Sequence, residues 1–130
     1  MIVQDIFYSL LLASLCVALH SVGSARIWRV YIHASHSGVA VPARLFCVLL
    51  LMHFAETVLF SLFYVYREAF TSYEDALYFS LSSYTTIGYG DLLLPPQLRL
   101  VGAFEGLIGT LLSGWSVALL VAFLQKRLSK

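Results

Sequence analysis

The stretch Ser82–Asp91, SSYTTIGYGD, decides the fold, and it lies between two long apolar segments. Its glycines, Gly88 and Gly90, flank a tyrosine. Glycine adopts positive φ angles without steric penalty, so a strand that contains it can alternate left- and right-handed residues and aim successive carbonyl groups to one side. In lipid such irregular backbone would lack hydrogen-bond partners, and it is tolerated only inside protein or beside water. The stretch therefore predicts an extended segment that lines a water-filled path at membrane depth.

The rest of the chain has the composition of a membrane protein. Of its 130 residues, 60% are hydrophobic and 12% are charged, and the mean hydropathy is +0.85. These values exclude a soluble domain of this length. Three apolar segments suit a bilayer crossing, which takes roughly 20 residues: Ile6–Val22, Val41–Tyr66 and Leu98–Leu124. The first carries Asp5 in place of a basic flank, which disfavours a signal peptide. We predict an all-α membrane protein with three transmembrane helices.

The positions of the charged residues predict the orientation in the membrane. Basic residues gather in the linker after the first span and in the tail after the third: Arg26, Arg29, Arg44, Lys126, Arg127 and Lys130. The other two sides carry mostly acids: Asp5, Glu68, Glu74, Asp75 and Asp91, against Arg67 and Arg99. Because basic loops stay in the cytoplasm, we expect a multi-pass protein of the plasma membrane with its N-terminus outside and its C-terminus in the cytoplasm.

The linker between the first two spans leaves two readings open. Either the first helix continues through His33, or the linker lies along the membrane surface. His33 and His36 are interpreted as ordinary interfacial histidines. Cys16 and Cys47 both lie inside apolar runs, which favours buried thiols over a disulfide.

A helix start precedes the opening stretch. Thr71 and Ser72 are each followed three residues later by an acid, Glu74 and Asp75, which is the pattern of a capping box. We predict a helix over residues 72–84, which is roughly 20 Å long and too short to span the bilayer. Such a helix enters the membrane and turns back, and the glycine-containing segment brings the chain out again.

The run TTIGYGD, residues 85–91, resembles the signature of potassium-selective channels. The resemblance extends over about Thr71–Phe123. It implies a pore domain over residues 41–130, preceded by an extra helix and interfacial linker over residues 1–40. Within the pore domain it implies an outer helix (41–66), a pore helix (72–84), a selectivity filter (86–90) and an inner helix (98–124). One chain offers one filter strand, so the resemblance also implies a fourfold homotetramer.

The resemblance assigns roles to the filter residues, which would be Thr86, Ile87, Gly88, Tyr89 and Gly90. Backbone carbonyls of the first four would coordinate dehydrated K⁺, and the Thr86 hydroxyl would add the innermost ring. Residues expected to support the filter are Asp91, Tyr78, Phe79, Ser82 and Thr85. Tyr78 and Phe79 would form an aromatic cuff around Tyr89, and Asp91 would lie at the outer mouth, bonded to Tyr78. Ser82 stands where some family members carry a glutamate, and serine is a weaker brace.

The third span carries a stripe of mostly small residues at helical spacing: Leu111, Gly114, Ala118 and Ala122. One interpretation is close helix packing. The favoured interpretation is the wall of a water-filled cavity below the filter. By position relative to the filter, the resemblance places a hinge near Gly109 and Thr110, and Phe123 or the basic tail would form a cytoplasmic constriction.

Two acids, Glu56 and Glu105, lie within spans, and intramembrane acids mark functional sites by default. Glu105 is interpreted as a brace that bonds the pore helix or a neighbouring subunit, with a role in the ion path as the alternative. Glu56 is expected to pair with His53, one turn earlier. No HExxH motif and no third ligand stand near that pair in the sequence, which disfavours a metal or catalytic site. We expect no enzymatic activity.

Together these features predict a channel that conducts K⁺ passively, with K⁺ as the bound ion and no organic cofactor. The expected partners are further copies of the chain and membrane lipid, and no nucleic acid. Three alternatives stay open. They are a channel that conducts K⁺ and Na⁺ alike, one subunit of a potassium transporter built from four fused pore segments, and a non-conducting membrane interaction subunit.

Overall fold

A computed structural model describes residues 2–31 and 40–129 of the chain. Its helices are α1 (Ile2–Tyr31), α2 (Ala40–Tyr66), α3 (Tyr73–Tyr84) and α4 (Arg99–Leu128), and a 3₁₀ turn at Pro96–Leu98 precedes α4. No strand occurs in the described ranges. Three of these helices are long and apolar enough to cross a membrane. The predicted all-α fold with three membrane-length helices is confirmed.

The first helix is longer than the predicted span Ile6–Val22. It comprises 30 residues, about 45 Å at 1.5 Å per residue, whereas the hydrocarbon core of a bilayer is about 30 Å thick. Arg26 and Arg29, interpreted from the sequence as linker, belong to its last turns, which agrees through Tyr31 with the open interpretation that the first helix continues beyond its apolar span. Arginine is a good helix former, so the helix runs on past the apolar stretch into the region of the lipid headgroups. The predicted positions of His33 and His36 lie outside the described residues.

The short helix α3 begins where the capping pattern predicts. Ser72 has an extended backbone, and its side chain accepts a hydrogen bond from the Asp75 amide at 3.0 Å. The helix has 12 residues, about 18 Å of length, so it reaches only part of the way through a bilayer. A backbone hydrogen bond of 3.1 Å from Thr85 N–H to the Leu81 carbonyl closes its last turn.

The α3 helix is wedged between α2 and α4, and the surrounding core is apolar. Buried members of this first cluster are Leu12, Cys16, Phe60, Tyr64, Ala76, Leu94, Leu98, Val101, Ile108 and Leu112. A second cluster lies at the other end of the long helices and contains Ile27, Val41, Leu45, Leu49 and Phe123. The expected cytoplasmic constriction at Phe123 is therefore wrong, because this side chain is buried against α1 and α2 and is not left free to close a pore.

Contacts at both ends fix the direction of α1. Near its start, the Arg67 guanidinium lies 5.1 Å from the centre of the Tyr8 ring, so the beginning of α1 meets the end of α2. Near its finish, the Lys126 ammonium lies 5.7 Å from the Trp28 ring, so α1 ends beside the end of α4. The helix is thus antiparallel to α2, and the basic ends of α1 and α4 share one end of the bundle.

The two cysteines differ in their surroundings. Both are free, Cys16 is buried and Cys47 is exposed on the surface of the chain. The expectation of two buried thiols is wrong for Cys47, because the face of α2 that carries it is turned outward, as an apolar face of a membrane helix can be.

Candidate functional site

The segment after α3 has an alternating backbone. Thr86, Gly88 and Gly90 have φ angles of 61°, 58° and 78°, so every second residue from Thr86 is left-handed. Glycine takes such angles without penalty, but threonine does not, and a non-glycine residue held there is strained. All residues from Thr85 to Gly90 are exposed on the single chain. We call this extended segment, residues 86–90, the strand, although it pairs with no neighbouring strand in the described residues. It presents its backbone outward, to whatever lies beyond this one protomer.

Ser82, in the last turn of α3, holds the strand from behind. Its carbonyl accepts a hydrogen bond from Gly88 N–H at 3.2 Å, and its hydroxyl accepts one from Tyr89 N–H at 3.4 Å. A third bond runs from Thr86 N–H to the Ser83 carbonyl at 3.0 Å. Thr85 turns its hydroxyl back to the Leu81 carbonyl at 2.6 Å, so it closes the helix and does not contact the strand through that group.

At the outer end of the strand, Tyr78 makes two contacts. Its hydroxyl donates to Asp91 Oδ2 at 2.7 Å, and its ring is stacked on Tyr89 with centroids 6.4 Å apart and an angle of 11°. The bond lowers the pKa of Asp91, because it stabilises the carboxylate. The same bond raises the pKa of Tyr78, because the neighbouring carboxylate disfavours a phenolate.

Phe79 lies elsewhere than the aromatic cuff that the sequence suggests. Its ring packs on Tyr64 and Phe70, with centroid distances of 5.4 and 5.2 Å, and so anchors α3 to α2 within the chain. One edge of Phe79 also lines a cavity of about 210 Å³ between α3 and the strand, together with Tyr78, Ser82 and Asp91. The strand is thus supported by hydrogen bonds and one stacked ring, and is not packed tightly over its whole length.

Glu105 joins three helices beneath this site. It is fully buried and accepts hydrogen bonds from Tyr64 of α2, at 2.7 Å, and from Ser80 of α3. Ser80 also contacts the Thr57 carbonyl of α2 at 2.8 Å. Glu105 therefore holds α3 against α2 and α4, which is the arrangement expected of a brace.

The small residues of α4 differ in their surroundings. A side chain at Gly109 would overlap the Tyr84 carbonyl, so this glycine lets the end of α3 lie directly on α4. Gly114 has nothing within 4 Å of the position a Cβ would take. Leu111, Gly114, Ala118 and Thr110 are exposed on the single chain, and Ala122 is half-buried. The helix continues without a break through Gly109 and Thr110, the positions of the expected hinge.

Glu56 lies in a polar cluster that the sequence only partly predicts. The expected contact with His53 is present at 3.2 Å, but His20 of α1 also lies 2.9 Å from the carboxylate, and Tyr84 of α3 donates to it. The prediction that no third ligand lies near the pair is therefore wrong, because the fold brings His20 next to His53 and Glu56. The available signal was a lone ionisable residue, His20, in the middle of an apolar span.

A comparison with known families identifies the class of protein. A family model described as an ion channel matches residues 47–126, which is more than half of the chain. The chain belongs to this ion-channel family. No curated protein and no solved structure gives a significant match. The matched region comprises most of α2, the whole of α3 and the strand, and nearly all of α4, whereas α1 lies outside it.

Membership defines the general function. With three helices of membrane length, this channel is a multi-pass membrane protein whose role is ion transport. The matched range also contains the strand with alternating backbone and each residue that holds it from behind. The strand is therefore the candidate ion-contacting segment of the channel.

Proposed function

We propose that this channel is a homotetramer that conducts K⁺ selectively through residues 86–90. The observation that carries the proposal is the alternating backbone at Thr86, Gly88 and Gly90, in a strand exposed on the single chain. Alternation of handedness turns successive carbonyl groups to one side, and a column of carbonyls replaces the water around a dehydrated cation. The carbonyls of Thr86, Ile87, Gly88 and Tyr89, with the Thr86 hydroxyl, are the proposed ligands.

Four copies around one axis complete the site. One strand supplies one carbonyl at each level, and a closed ring needs several, so a cyclic oligomer is the simplest assembly that satisfies the ion. The exposed face of α4 with Leu111, Gly114 and Ala118 would then line the cavity below the filter. The helix dipole of α3 also favours a cation at the strand, because the negative C-terminal end of this dipole lies next to the strand.

The proposed orientation has the N-terminus outside and the C-terminus in the cytoplasm of the plasma membrane. The basic ends of α1 and α4 lie together, as the Lys126–Trp28 contact shows. Arg29 and Arg26 belong to the same end of α1. A shared basic end is favoured on the cytoplasmic side, and the strand then opens toward the outside at Asp91.

Ion flux from liposomes that contain the purified chain tests this function. We expect efflux down a K⁺ gradient, little efflux down a matched Na⁺ gradient, and loss of K⁺ efflux in Gly88→Ala, because alanine is strained at a φ of 58°. Gly114→Ala is the matched control, since nothing lies within 4 Å of its added methyl group. Equal Na⁺ efflux would support the non-selective alternative. Absence of efflux from a protein that is a monomer or dimer in mild detergent would support a non-conducting subunit.

A further inference from the structure

The polar cluster in the middle of the helical bundle is not part of the ion strand. We propose that His20, His53 and Glu56 form a site for one divalent transition-metal ion, of which Zn²⁺ is the best representative. The site would join α1, which lies outside the matched family region, to α2. This inference goes beyond the channel activity and does not depend on which cation the strand selects.

The three side chains already meet at distances close to those of a metal site. His20 Nδ1 lies 2.9 Å from Glu56 Oε1, and His53 Nδ1 lies 3.2 Å from Glu56 Oε2. All ligand atoms lie within 4.8 Å of one another. Ligands about 2.0–2.1 Å from a tetrahedral Zn²⁺ are separated by roughly 3.3 Å. The two nitrogen–oxygen distances are close to that separation, and side-chain rotation would bring the remaining ligand atoms together around an ion.

The other face of both imidazole rings is held by one hydroxyl group. Ser116 Oγ of α4 lies 2.9 Å from His53 Nε2 and 3.2 Å from His20 Nε2. Histidines that bind a metal through one ring nitrogen usually donate the other N–H to a fixed acceptor, which sets the tautomer and the ring orientation. Ser116 is in the position of that acceptor for both rings.

The hydrogen-bond pattern is compatible with an ion between the rings. With an ion on both Nδ1 atoms, both Nε2 atoms carry protons, and the two lone pairs of the Ser116 oxygen accept them. Two neutral rings of opposite tautomer satisfy the same nitrogens without an ion. In that state His53 Nε2–H donates to Ser116, Ser116 donates to His20 Nε2, and His20 Nδ1–H donates to Glu56. The Tyr84 hydroxyl, 2.8 Å from His53 Nδ1, then supplies the last partner. The case for an ion therefore rests on the ligand geometry and on the burial of Glu56.

Burial and access also suit a bound cation. His20 and Glu56 are fully buried, so a carboxylate at this depth needs a compensating positive charge. His53 is partly exposed and lines a cavity of about 430 Å³ on the side of α2 and α3. The competing state holds no metal and has either two neutral rings of opposite tautomer or one extra proton shared by the two rings.

Metal titration of the full-length chain in detergent distinguishes these states. After removal of metal with a chelator, we expect Zn²⁺ to bind with one ion per chain by calorimetry and to raise the midpoint of thermal unfolding. Co²⁺ should give the visible absorption bands of a tetrahedral site, and Zn²⁺ should abolish them. His20→Gln and His53→Gln should each lose the bands and the thermal shift.

Two pairs of variants separate this site from other causes. Ser116→Ala leaves all three ligands in place and should weaken Zn²⁺ binding about 10- to 100-fold, whereas Ser113→Ala, on the same helix, should not. The double variant His33→Gln, His36→Gln removes the same number of imidazoles from the linker and should bind normally. Loss of binding there, with binding retained in His20→Gln, would overturn the proposal. So would absence of binding to the unmodified chain, which would leave the two rings without a metal.

Discussion

At the scale of single residues, the bond between Tyr78 and Asp91 predicts how K⁺ flux depends on external pH. The bond lowers the pKa of Asp91. The stabilisation of the strand by this bond is therefore complete above the ordinary carboxyl range and is lost as pH falls through the lowered pKa. The pKa of Tyr78 is raised, so the phenol keeps its proton beyond its usual range as pH rises. We expect K⁺ flux to be constant between these limits and to fall only in strong acid.

Tyr78→Phe removes the donor, and the pKa of Asp91 should return toward its ordinary value. Inhibition by external acid should therefore set in at a higher pH than in the unmodified channel, which a series of flux measurements at stepped external pH would detect. Tyr73→Phe makes the same chemical change at the start of α3 and is the control. An unchanged acid profile in Tyr78→Phe would show that the bond does not support the strand.

Glu105 leads to a second prediction at this scale. Ser80→Ala removes one of the two hydroxyl donors that the buried carboxylate contacts, and a buried group that loses its partner costs about 1–3 kcal/mol of stability. We expect a lower midpoint of thermal unfolding in detergent. The control is Ser61→Ala, since Ser61 is equally buried but bonds only the Val58 carbonyl of its own helix among the contacts shown. Equal losses in both variants would contradict a bracing role for Glu105.

Individual contacts were predictable where the resemblance supplied the pairing. Tyr78 lies on α3 and Asp91 follows the strand, and a bond between them followed from the resemblance. His20 lies 36 residues from Glu56 and 96 residues from Ser116, and no local pattern connects them. Their meeting depends on how α1 packs across α2 and α4, which periodicity and capping rules do not specify.

At the scale of elements, the start of α3 could be predicted because its cap is local. Ser72 accepts the Asp75 amide three residues later, and that spacing is visible in the sequence. The extent of α1 could not be predicted in the same way. Arg26 and Arg29 were interpreted as linker, and the sequence left open whether the first helix continues through them. A helix in a membrane can continue into the headgroup layer, where arginine is solvated.

The contact between α3 and α4 gives a prediction for Gly109. In Gly109→Ala the added methyl group would overlap the Tyr84 carbonyl, which is backbone and cannot swing away. We expect α4 to be displaced from the end of α3, with loss of flux and a smaller fraction of assembled protein in size-exclusion chromatography. Gly114→Ala, five residues further along the same helix, should assemble and conduct normally. Normal flux in Gly109→Ala would show that α3 can move away from α4 without cost to the strand.

At the scale of the whole molecule, charge and packing agree on one end of the bundle. The sequence predicts that the basic residues after the first and third spans share a side, and the Lys126–Trp28 contact brings those ends together. The number of chains around the ion is a different matter. A strand exposed along residues 85–90 indicates that one protomer alone does not enclose an ion. The number of subunits, however, follows neither from the composition nor from the fold of one chain.

Co-expression of the unmodified chain with Gly88→Ala measures the number of chains that share one pore. In a tetramer with a shared pore, one strained strand distorts every ring that it enters, so only assemblies without the variant should conduct. Random mixing of equal amounts leaves about one assembly in sixteen free of it, and K⁺ flux per unit of protein should fall to roughly that fraction. A mixture with Gly114→Ala should keep full flux. A fall to about one half would mean that each chain conducts alone, which would contradict a pore built from four strands.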